Sequence, residues 1–130
     1  MVFKALLYAT RKAGITPAEF KTHYDTVHVP LIQSLGGDAL LISHKRFYIA
    51  RPLAGEDNSY PAAVVLGTQE DFPFDCIIEF TFENEEGFKG FFAKRMEPGV
   101  KEAIDADEEK FLDSTTLKMV VVGDVSETVF

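Results

Sequence analysis

The chain has 130 residues, which suits one compact core and leaves no room for a second, so it reads as a single domain spanning 1–130. Its 21 acidic and 13 basic side chains give a formal net charge of -8, which repels phosphate backbones and anionic lipid and argues against nucleic acid or a membrane as partner. The lone cysteine, Cys76, has no internal disulfide partner, Cys and His lack zinc spacing, and no apolar run approaches the roughly 20 residues that span a bilayer; a soluble cytoplasmic protein without a metal site is expected.

Val2 to Ala9 is short and apolar and leads into a turn, so it reads as a buried strand. Thr16 is the expected N-cap of the first helix, with Pro17 at its first position and Glu19 completing a capping box. That helix should run to Gly36-Gly37, loosening just after His28 because Pro30 lacks an N–H and disfavours helical geometry at Val29. Its apolar stripe, Phe20, Tyr24, Val27, Leu31 and Leu35, turns Tyr24 and His28 toward the interior. His23 lies about 100° away and is expected at the surface.

Ala39 to Arg51 alternates loosely and reads as an edge or half-exposed strand, on which His44 shares a face with Ile42, Arg46 and Tyr48. Pro52 to Phe74 is a long excursion, rich in Pro, Gly, Asp and Asn, that reads either as a lid or partner contact or as a plain surface loop. Asp75 to Phe82 alternates with period two, Cys76, Ile78, Phe80 and Phe82 on one face and Asp75, Ile77, Glu79 and Thr81 on the other. Asn84 caps a helix with Phe88, Phe91 and Phe92 on its buried side. Pro98 opens another, with Val100, Ala103, Ile104, Asp107 and Phe111 at helical spacing. A β-branched run, Leu117 to Val122, forms the last strand, followed by the tail 124–130.

The order strand, helix, strand, strand, helix, strand is the split βαβ arrangement of an α+β ferredoxin-like sandwich with a four-stranded antiparallel sheet. Helices cover one sheet face. A chain with 46% hydrophobic residues and twelve phenylalanines should not leave the other wet, so a homodimer through sheet faces is expected.

Among the chemical residues, His28 titrates near neutrality and is the candidate general base, or else a core histidine bonded to main chain. Tyr24 either holds His28 or a substrate carbonyl, or simply packs. Asp107 stands inside an apolar stripe, where a carboxylate needs a partner: His28 across a pocket, or a Lys or Arg. Asp75 and Glu79 lie about 13 Å apart and face either a helix histidine or the dimer interface. His44 is a secondary candidate. Cys76 is read as a buried hydrophobe. With no phosphate loop, zinc spacing or dinucleotide fingerprint, the site should be cofactor-free.

The pattern Thr16-Pro-Ala-Glu-Phe20 followed by Tyr24-x-x-x-His28-Val-Pro30 resembles the first helix of EthD-like proteins in the dimeric α+β barrel superfamily. Phe74 to Phe82 resembles the family's third strand, and Asp107 to Asp113 the segment before its fourth; the excursion at 52–73 is longer than the family pattern. The resemblance implies a dimer and a cofactor-free activity on hydrophobic, polyketide-like substrates, although some superfamily relatives bind haem through one histidine, a role His28 or His44 could fill. The reading reached is a dehydratase- or cyclase-type lyase or isomerase with His28 as base. Tyr24 and Asp107 or Glu79 assist catalysis, while Phe20, His44, Asp75, Phe88, Phe92 and Phe111 bind substrate. The alternatives are a cofactor-free oxygenase (oxidoreductase) of anthrone-type rings and a non-catalytic dimer that binds a lipophilic metabolite.

Overall fold

The computed structural model describes residues 2–53 and 59–130. Strands β1 (Phe3–Ala9), β2 (Leu41–Tyr48), β3 (Cys76–Phe82) and β4 (Lys118–Val121) form one antiparallel sheet in the order β2-β3-β1-β4. The helices are α1 (Pro17–His23), α2 (Val29–Ser34), α3 (Glu85–Arg95) and α4 (Val100–Glu108). The architecture is the expected ferredoxin-like α+β sandwich.

The helix starts where its capping chemistry dictates. The Thr16 hydroxyl accepts from the Glu19 amide at 3.1 Å, and the Glu19 carboxylate accepts from the Thr16 amide at 3.1 Å. The end is equally explicit: Gly36 sits at φ 74°, and Gly37 donates its amide to the Ile32 carbonyl at 2.8 Å. Between them the helix does not loosen just after His28 as expected. It widens before that point, into a π turn over Tyr24–His28 that closes with the Val29 amide on the Tyr24 carbonyl. Pro30 has no amide to offer the Thr26 carbonyl, so the ordinary ladder is already broken there.

Pairing of β1 with β3 sets Ala5, Leu7 and Ala9 opposite Phe80, Ile78 and Cys76, and these residues face the helices. The core lies in that layer, where Phe20, Phe82 and Phe111 are fully buried. Cys76 is also fully buried there, and desolvation pushes its thiol up to about 12, so it behaves as a small hydrophobe. On β2 a bulge between Leu41 and Ser43 ejects Ile42, which is 61% exposed and therefore does not share the face of His44, Arg46 and Tyr48. The last helix begins at Val100, two residues later than Pro98 would place it, with Gly99 at its N-cap.

Two carboxylates expected near the site stand elsewhere. Glu79 projects from the helix-free sheet face, 3.6 Å from Lys4 Nζ and 3.8 Å from Lys45 Nζ, because period two puts it opposite Ile78 and Phe80. Asp75 precedes β3 and is buried as a structural anchor. It accepts from the Arg11 amide at 2.8 Å and Arg11 Nε at 3.1 Å, with Arg51 Nε at 2.9 Å. Arg51 in turn donates to the carbonyls of Tyr60, Phe72 and Phe74, tying down the described ends of the 52–74 excursion. Replacing Asp75 by Ala leaves Arg51 buried without its counter-ion, so urea denaturation should show a loss of about 3 kcal/mol. Glu79→Gln, at a solvated ion pair, should cost less than about 1 kcal/mol.

Candidate active site

A cavity of about 200 Å³ opens between the helix-facing side of the sheet and the helices. Leu7, Phe80, Phe91, Phe92 and Met119 give it apolar walls, and Tyr24, His28, Arg95 and Glu108 give it one polar end. No described residue of the 52–74 excursion is among those that line it.

His28 comes from the π turn and is 3% exposed. Its Nδ1 lies 2.8 Å from Asp107 Oδ2. A carboxylate only accepts, so Nδ1 carries the hydrogen and Nε2 is left with its lone pair. Burial pushes the imidazole below its ordinary value, against the opposing pull of Asp107, which keeps a neutral ring available as a base. Nε2 stands 3.9 Å from Glu108 Oε2.

The second partner of Asp107 is His23, whose Nε2 lies 3.0 Å from Oδ1. His23 is therefore not a surface residue: its ring stacks on Phe111 with centroids 4.6 Å apart. In a regular α-helix, residues five apart point about 140° from each other. The π turn, bonded from i to i+5, brings His23 and His28 to one carboxylate. Phe111 lies against both imidazoles and against Tyr24, which makes it a buried support for the site and not a substrate wall.

Glu108 is the carboxyl group that the cavity holds in place of Glu79. Burial raises its pKa above the ordinary glutamate value even though Arg95 pulls the other way, and Arg95 Nη2 donates to it at 3.0 Å. Both residues were legible in principle. Glu108 is four residues beyond Ile104 and one turn before Phe111, and Arg95 is three and four residues beyond Phe92 and Phe91. Each is the charged member of an otherwise apolar helical stripe.

Tyr24 accepts or donates across 2.9 Å to His44 Nε2. It can offer its own hydrogen to a ligand only when His44 carries a proton on Nε2. His44 itself lines a separate depression beside Ile42 and Ser43 and touches the cavity's walls from behind, through its bond to Tyr24 and its ring contact with Phe80 at 4.8 Å between centroids. Phe92 lines the cavity as expected. Phe20 does not, being spent on packing with Tyr24, Tyr48 and Phe111, and neither does Phe88, which packs on Phe3 and Phe82. Asp75 lies in its arginine cluster. The site does not fit a haem: His44 Nε2 is taken by Tyr24, and the space at His28 Nε2 is bounded by Glu108. Among the described residues no group of three or more His, Cys, Asp or Glu is placed to hold a metal ion, and no helix is long and apolar enough to cross a membrane.

Burial brings His44 down to about 4 from its ordinary 6.5. Between those values the unfolded chain binds a proton that the native ring refuses, so this residue's stability contribution is complete above pH 6.5 and is lost as pH falls toward 4. His44→Gln should flatten the fall in urea midpoint over that window relative to the unsubstituted protein. The opposite-signed contribution of Glu108 is common to both proteins and leaves the difference intact.

The family model for the EthD domain matches residues 12–115. Among solved structures, the chain is similar to an EthD family protein of Bacillus halodurans, at 16% identity and a TM-score of 0.52 over 95% of this chain and 99% of that one. It is also similar to a hypothetical Arabidopsis thaliana protein, at 15% identity and a TM-score of 0.52 over 98% and 91%. A third is a dimeric ferredoxin-like protein of unknown function from Thermobifida fusca, at 14% identity and a TM-score of 0.50 over 94% and 90%. These likenesses carry the fold. Among curated proteins none matches. A family match over most of its length, together with the ferredoxin-like sandwich, places this chain in the EthD domain family.

Proposed function

We propose that the protein is a cofactor-independent lyase or isomerase that removes a proton next to a carbonyl of a hydrophobic, polyketide-like substrate. One observation carries this reading: a buried neutral imidazole, its Nδ1–H held by Asp107, sets a basic Nε2 beside the carboxyl of Glu108 at the polar end of an apolar cavity. Their environments move the two groups in opposite senses, His28 toward the neutral base and Glu108 toward the protonated acid.

In the dehydration form, His28 Nε2 takes the α-proton and the C–H electron pair moves onto the carbonyl as an enolate. As the enolate collapses, the β C–O bond breaks and Glu108 delivers its proton to the departing hydroxyl, so water leaves. The imidazolium then returns its proton to Glu108 across the short gap. Asp107 stabilises the transient imidazolium without taking the proton. Cyclisation differs only in where the enolate carbon goes, to a second carbonyl of the same chain. The roles the sequence suggested for Asp107 and Glu79 thus divide differently: Asp107 positions the base, and Glu108 takes over as acid.

We further infer a homodimer through the helix-free sheet face. Phe47 and Val120 there are 50% and 52% exposed, and Leu6, Tyr8 and Ile77 are half-buried around Glu79 and its lysines, an apolar surface that water disfavours. The Thermobifida fusca relative is dimeric.

Incubation with a polyketide-type β-hydroxy ketone under air and under argon, followed by mass spectrometry, tests the reaction. Loss of water in both atmospheres is expected, whereas oxygen consumption would favour an oxygenase. His28→Ala and Glu108→Gln should each lower kcat by roughly 10²–10⁴-fold with unchanged circular dichroism, and full activity in His28→Ala would reject the base assignment. In sedimentation, Val120→Glu should convert a dimer into monomers while Val129→Glu, in the exposed tail, should not.

A further inference from the structure

The cavity has a close neighbour. The depression between α2 and β2 that His44 lines also measures about 200 Å³, and among the described residues Ile32 alone lines both hollows. Elsewhere the partition is two side chains thick: Tyr24 and Phe80 on the cavity side each meet His44 on the other, at 2.9 Å from hydroxyl to Nε2 and 4.8 Å between ring centroids. At Ile32 it is a single side chain.

That side chain has little room to swing aside. Ile32 is buried with Val100 and Ile104 of α4 and with Leu35 against it. Gly37 donates its amide to the Ile32 carbonyl at 2.8 Å and comes so near that a Cβ there would lie 2.9 Å from Ile32 Cγ2. A β-branched residue has few rotamers in a helix to begin with, and close packing removes the others. Its place relative to the base is fixed as well. Ile32 follows His28 by four residues, once α2 has restored ordinary spacing, so the two side chains share a face with Cβ atoms about 5–6 Å apart.

We propose that Ile32 is a specificity-determining residue of this cavity, the wall that limits how far an apolar arm of the ligand extends past His28 toward the depression. This rests on reading the cavity as the substrate site and adds a length limit to it: compact hydrophobic ketones fit, and longer arms on that side are refused. Each carbon that leaves water for the cavity is favourable until the wall is met. Beyond it, a further carbon either stays in water or strains the packing around Ile32.

The test is binding without turnover. Unbranched 2-alkanones from 2-butanone to 2-undecanone, which have no β-hydroxyl to lose, are titrated into the intact protein and followed by calorimetry. Affinity should rise about fourfold per added methylene and then stop rising at one chain length. Ile32→Ala should move that break outward by about three carbons and Ile32→Val by about one, the carbons each substitution removes. With 2-undecanone bound, the amide resonance of Ser43 in the depression should shift in Ile32→Ala but not in Ile104→Ala, which enlarges the cavity at a residue that does not reach the depression. An affinity that climbs without a break, a break that stays put in both Ile32 variants, or an equal Ser43 shift in Ile104→Ala would each overturn the proposal. Should Ile32→Ala fail to fold, the one-carbon move in Ile32→Val decides. If no ketone binds, the cavity reading falls together with the wall, whereas a series that binds with a break indifferent to Ile32 removes the wall alone.

Discussion

The buried carboxylate of Asp107, shared between His28 and His23, is the interaction on which the rest of the site depends. At 5% exposure a carboxylate is costly unless its lone pairs are used, and here each oxygen meets an imidazole nitrogen. The pairing joins the first helical segment to α4 and fixes which nitrogen of His28 keeps its hydrogen. It thereby aims the other nitrogen at the cavity. Phe111, four residues after Asp107, lies against both rings and limits their rotation, so geometry and tautomer are set by one short segment of chain.

That pairing requires the irregular turn ahead of Pro30. A regular helix would deliver Tyr24 and His28 to the core and rotate His23 away. The π turn adds the residue that brings both histidines to the same acceptor, and the Thr16 capping box and the Gly36-Gly37 stop hold the segment at both ends. A local backbone defect is tolerated because the buried bonds it permits depend on it, as is common for such turns at functional sites.

The sheet separates two kinds of carboxylate. Those on its helix-free face or at its rim, Glu79 and Asp75, are neutralised by Lys4, Lys45, Arg11 and Arg51. Those facing inward from α4 are arranged around imidazoles and a single guanidinium in a drier setting, where desolvation moves protonation equilibria and each charge counts for more. The titratable groups therefore gather at one end of an otherwise apolar cavity.

Strong local signals were legible in the chain: the Thr16–Glu19 cap, the two glycines, the period-two run of β3 and the strand-helix order, which together determine the ferredoxin-like sandwich. The inward direction of Tyr24 and His28 was legible too from their spacing of four, although Val27, expected on the same stripe, is 44% exposed where the turn widens. The polar partners were not. His23 was masked because its reach depends on a π turn that periodicity does not encode, and Glu108 and Arg95 because a charged residue on an apolar stripe looks like its solvent edge until a neighbouring helix buries it. Glu79 and Asp75 failed for the complementary reason: alternation tells which residues share a face, but only the packing of helices decides which face becomes the inside.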